Sequence, residues 1–164
     1  MKSGIVLNAG LVVWAAVAGT SSSPAHAASN KARLTGLSDV AFGLIASNVD
    51  QSASQSVCAY SSSNTNGYSV TAIGSGGGGA FELLAGATPL PYDVLWSDAG
   101  NQTSGVALAP GTTRSGFTST ASQQTCNSGP SSSASLTVII RSATLMSARA
   151  GTYSGMLQIT IAPE

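Results

Sequence analysis

Charge is nearly missing from this sequence. Only 7% of its 164 residues are Asp, Glu, Lys or Arg, and six basic side chains balance six acidic ones. That excludes the basic patch a nucleic-acid-binding domain needs. It also excludes the charge run that would hold a membrane surface. Histidine is almost absent: the single one, His26, lies in a stretch expected to be removed on export. With no other histidine and no expected free thiol, the chain lacks the usual general bases and soft metal ligands. No cofactor, no metal and no enzymatic activity are expected. Asp39, Asp50, Glu82, Asp93 and Asp98 are scattered, and no spacing among them makes a calcium loop or a carboxylate pair. They are read as solvated surface groups.

Long apolar runs are also absent, apart from one at the start. Lys2 is followed by the mostly apolar run Ile5–Gly19, a polar stretch, and Ala25-His26-Ala27. This is the layout of a secretory signal peptide with an A-x-A cleavage site, and the run is short for a membrane span. Residues 1–27 are therefore expected to be the signal peptide, and the exported chain to start at Ala28. Residues 28–164 then make one domain, long enough for a core. Ser, Thr, Gly and Ala dominate it, which gives the neutral, weakly hydrated surface of a secreted protein.

Cysteine is scarce too, and the two present form an even pair. In an exported chain Cys58 and Cys126 are expected to be disulfide-bonded. The bond would close a long loop and tie the polar region 101–130 to a strand at Cys58.

What is there is β-structure. Leu34–Phe42 is apolar at Leu34, Leu37, Val40 and Phe42, an imperfect alternation that predicts a strand with a bulge or a strand in two parts. Gln55–Tyr60 and Tyr68–Ile73 read as two strands, joined across Ser61–Gly67 by the turn signal Asn66-Gly67. The glycines from Gly74 to Gly79 form a loop. They lack the Lys-Ser/Thr and the strand-to-helix context of a phosphate loop. Ala80–Leu84, Tyr92–Trp96 and Ser135–Arg141 are further strands. In the last stretch Tyr153, Leu157, Ile159 and Ile161 share one parity, and Ser154, Gln158 and Thr160 the other, which predicts a strand with one buried face. Only Ala-Pro-Glu follows it, so a neighbour for this strand is expected from earlier in the chain or from another molecule. No helical period is seen outside the leader. The reading is an all-β sandwich. Asn101-Gln102-Thr103 fits a glycosylation sequon, which has meaning only in a eukaryotic secretory route.

Three motifs carry a resemblance. The closing stretch Ala150-Gly151-Thr152-Tyr153 with its alternating strand is similar to the last strand of spore-coat-U domains and archaic chaperone–usher pilins. Leu37-Ser38-Asp39-Val40-Ala41-Phe42-Gly43 resembles their early strand. The order of Val57-Cys58, a hairpin, and the glycine-rich Tyr68–Gly79 segment resembles their middle part. The resemblance implies an immunoglobulin-like sandwich that lacks its last strand. A periplasmic chaperone, and then a neighbouring subunit, would supply that strand by strand addition. The acceptor groove would be lined by Leu157, Ile159 and Ile161, facing Leu34, Val40 and Phe42. The function implied is that of a secreted structural or tip subunit of a surface pilus, passing through the periplasm to the cell surface. Two departures stand out. Ala28–Arg33 is too short and polar to be a donor strand, and a cysteine common near the family's first strand is missing. The alternative expectation is a self-contained secreted binding domain, for example one that stacks exposed aromatics on carbohydrate.

Overall fold

The computed structural model describes residues 30–46 and 48–164. The expected signal peptide and its cleavage site lie outside these residues. The described part is an all-β sandwich of antiparallel strands. β1 (Ala32–Thr35), β2 (Gln51–Ser61), β9 (Ala134–Ile140), β6 (Asp93–Ser97) and β7 (Val106–Leu108) form a five-stranded sheet in that spatial order. β10 (Leu157–Pro163), β3 (Gly67–Gly74) and β8 (Thr113–Thr118) form a three-stranded sheet. β4 (Glu82–Ala85) and β5 (Thr88–Pro91) make a separate hairpin, and α1 (Ser142–Ser147) is a short helix after β9.

Strand β9 explains the centre of the large sheet. Its inward set Ala134, Leu136, Val138 and Ile140 joins the core. Its outward Ser135 and Thr137 are buried as well, because loop 97–102 and β2 cover them. Ser135 Oγ donates to the Ala99 carbonyl at 2.8 Å, and Thr137 Oγ1 shares a 2.8 Å hydrogen bond with Ser54 Oγ. A strand covered on both faces reads as a nearly continuous buried run, which Ala134–Ile140 does. The two sheets meet at Trp96 and Tyr68, both fully buried. The indole Nε1–H donates to Tyr68 Oη at 3.1 Å, and the rings cross edge to face at 6.5 Å. Phe117 lies on the other side of Tyr68 at 5.7 Å. Burial pushes the Tyr68 hydroxyl up to about 12, since a phenolate there would lose its water.

The structure departs from the sequence reading at several points. Gln55–Tyr60 and Tyr68–Ile73 are strands, but they are not hairpin partners: β2 and β3 belong to different sheets. Asn66 takes a positive φ of 53° while Gly67 does not, so the pair cannot make the two-residue turn that returns a strand alongside itself. The chain instead crosses between sheets. The Gly67 carbonyl there accepts from Ser61 Oγ at 2.7 Å, Ser63 Oγ at 3.1 Å and the Glu164 amide at 2.9 Å. The expected strand Leu34–Phe42 is ladder-paired only over Ala32–Thr35; Gly36, at φ +84°, ends the pairing, and residues 37–46 are irregular. Strands β5, β7 and β8 and helix α1 were not expected. β5 contains Pro89 and Pro91, which β4 tolerates as its only partner. β8 hides its period behind a register shift opposite Tyr68 and Val70. Six residues are too few for α1 to show a helical period.

Candidate functional site

The two lateral sides of the sandwich are unlike each other. On one side β7 and β8 are edge strands of opposite sheets, joined directly by Ala109–Thr112. The Gly111 amide donates to the Ala72 carbonyl at 2.8 Å and pins that crossing. The disulfide lies elsewhere, on β2 where Cys58 pairs with Thr35 of β1. Cys58 and Cys126 are bonded, with Cα atoms 5.9 Å apart, an ordinary span. Cys58 points away from the main core and packs with Ala121, Cys126 and Tyr60 in a small second cluster. Ser119 Oγ adds a 2.6 Å bond to the Ala59 carbonyl.

The other side is open. β1 is the edge of the large sheet and β10 the edge of the small one, and they lie next to each other. Among the described residues, no strand pairs with the outer edge of either. Along β10, Leu157, Ile159 and Ile161 are half-buried against the core, and Gln158, Thr160 and Ala162 are exposed. The parity read from the sequence is the parity present. Beyond the point where β1 ends, the side widens into a cleft of about 1190 Å³. Its floor is Leu136 and Val138 of β9 with Leu90, Tyr92 and Leu145. Val40, Phe42 and Ile45 form one wall, and Tyr153, Leu157 and Ile159 the other. Leu37, Leu44 and Met156 stand exposed at its rim.

Four of the six residues expected at a groove, Val40, Phe42, Leu157 and Ile159, therefore line one cleft. Leu34 and Ile161 pack on the core where β1 and β10 close together, outside the cleft. Sequence reasoning missed the floor residues and Ile45. They come from segments far apart in the chain, and only the fold assembles them. Tyr153 was read on the buried parity of the last stretch, yet its place in the wall was not.

The rest of the surface offers little chemistry. Arg141 bridges Asp50 (Nη1 to Oδ2, 3.0 Å) and Asp93 (Nε to Oδ2, 2.6 Å), all three exposed. Asp50 Oδ1 also accepts the Ser142 amide at 2.7 Å, which ties the start of α1 to the start of β2. That amide and Arg141 hold the Asp50 carboxyl below the usual carboxylate range. The two carboxylates thus serve as anchors for one guanidinium. Among the described residues no group of three His, Cys, Asp or Glu could hold a metal ion. The glycine loop is a short 3-10 turn over Gly77–Gly79. Asn101 Oδ1 accepts from Ser56 Oγ at 3.1 Å. Tyr68, Phe81, Tyr92, Trp96 and Phe117 are buried, and Phe42, Tyr60 and Tyr153 are half-buried. No fully exposed aromatic platform exists among the described residues. No protein-family model and no curated protein sequence matches the chain.

Proposed function

We propose that the open side is a strand acceptor, and that the protein is an exported structural subunit of a chaperone–usher surface fibre with an immunoglobulin-like, incomplete sandwich. The observation that carries this reading is the apolar cleft beside β1 and β10, whose outer edges have no strand partner among the described residues. An unpaired edge beside a half-buried apolar row is adhesive. An extended segment with alternating apolar side chains would satisfy the backbone groups of β10 and bury Leu157 and Ile159. A periplasmic chaperone would supply that segment first and a neighbouring subunit later. The polar stretch Ala28–Arg33 suits an acceptor at a fibre tip better than a donor. The Cys58–Cys126 disulfide fits an oxidising compartment.

The experiment is Ile159→Asp, scored by accumulation of the exported protein beside a fimbrial chaperone. An unpaired carboxylate in the groove would have to be desolvated on strand addition. Accumulation should fall to background, and wild-type levels of the variant would remove the proposal. The competing reading is a self-contained carbohydrate-binding domain. Burial of the aromatic rings speaks against it, and sugar affinity of a stable monomer would revive it.

A further inference from the structure

One wall of the cleft is held in an unusual way. Leu37–Phe42 runs beside β2, yet no backbone hydrogen bond joins the two. Its polar anchor is one side chain. Gln55 Oε1 accepts from the Ser38 amide at 2.8 Å and from Ser38 Oγ at 2.9 Å, and Gln55 Nε2 donates to the Ser38 carbonyl at 3.1 Å. The glutamine amide thus pairs with Ser38 as a neighbouring strand's peptide group would. All three bonds are exposed to solvent, where water competes for them. The segment is bounded by Gly36 at φ +84° and Gly43 at φ +66°, a backbone region glycine visits freely. Nothing lies within 4 Å of a Cβ built on Gly43. Between these two glycines, Val40 and Phe42 reach the core half-buried while Leu37 remains 44% exposed.

We propose that Leu37–Phe42 is a strap over the cleft, hinged at Gly36 and Gly43, and that Gln55 is its latch. Closed, the strap covers the apolar floor with Val40 and Phe42. Released from Gln55, it swings aside and frees both the cleft and the outer edge of β2. The use of this opening, to admit an incoming strand, rests on the strand-acceptor reading. The opening itself does not.

The test is chymotrypsin cleavage of partner-free protein, refolded from denaturant with its disulfide intact if it does not accumulate alone. Cleavage after Leu37 and Phe42 is followed by fragment mass. Gln55→Leu removes all three bonds at similar volume and should speed cleavage at these two sites about tenfold, as loss of one to two net hydrogen bonds implies. Gln55→Glu keeps the acceptor and loses the donor, so its rate should fall between. Ser38→Ala removes one bond and carries the test, with Gln55→Glu, if Gln55→Leu does not fold. Cleavage elsewhere and the denaturant midpoint should stay at wild-type values. Unchanged strap cleavage in the variants would overturn the latch. So would acceleration at every site in step with a lowered midpoint, because Gln55 would then act on general stability. A chain that proves stable and partnerless would count against the strand-acceptor reading while leaving the cleavage ratio to decide the latch.

Discussion

At the scale of single residues, the buried pair Trp96 and Tyr68 is the contact on which the two sheets depend. Trp96→Phe keeps most of the ring but removes the indole donor to Tyr68 Oη. The loss should be about 1–3 kcal/mol in denaturant unfolding, the usual cost of a buried polar group left without a partner. The raised Tyr68 hydroxyl gives an alkaline signature. Its folded value is about 12 against an ordinary 10, so between these values the folded state holds a proton that the unfolded state has lost. Its contribution is full below pH 10 and is lost as pH rises through the folded value. Stability should therefore fall between pH 10 and about 12. Tyr68→Phe should flatten that fall in a series of denaturant midpoints against pH. An equal slope in the variant would place the titration elsewhere.

At the scale of elements, β10 and the disulfide make separate predictions. The half-buried parity of β10 sets Ile159 against Thr160. Thr160→Asp projects from the exposed face and should accumulate like wild type, whereas Ile159→Asp should not. Equal loss in both would mean that the strand tolerates no charge at all, and the parity argument would fail. The disulfide closes a separation of 68 residues. Replacing both cysteines by serine should cost roughly 4 kcal/mol by the chain-entropy argument, read as a lower thermal midpoint. These elements also show what the sequence made legible. β9, β10, the bonded cysteines and most of β2, β3 and β6 could be read, because their apolar residues alternate or run unbroken. β8 could not, since its one buried apolar side chain, Phe117, sits after a glycine and a register shift. The β2–β3 crossing was misread because Asn-Gly marks a change of direction without stating which sheet receives the next strand. Val40 and Phe42 were legible as buried positions. That a side chain, Gln55, and not a ladder holds their segment was not, since nothing in local periodicity encodes a bond from Ser38 to a residue on another strand.

At the scale of the whole molecule, the sandwich is closed on one side by covalent connection and open on the other. The β7–β8 crossing secures the first side; the Cys58–Cys126 bond anchors β2 beside β1 but leaves the outer edges of β1 and β10 unpaired among the described residues. An asymmetric molecule of this kind should depend on a partner for stability in proportion to what its open cleft leaves unburied. The most direct test is the denaturant unfolding of the exported chain, alone and after co-expression with a fimbrial chaperone. The account predicts low accumulation and a weak, early transition alone, with a higher midpoint and ready accumulation in the complex. A soluble monomer with a cooperative transition at the same midpoint in both cases would contradict it.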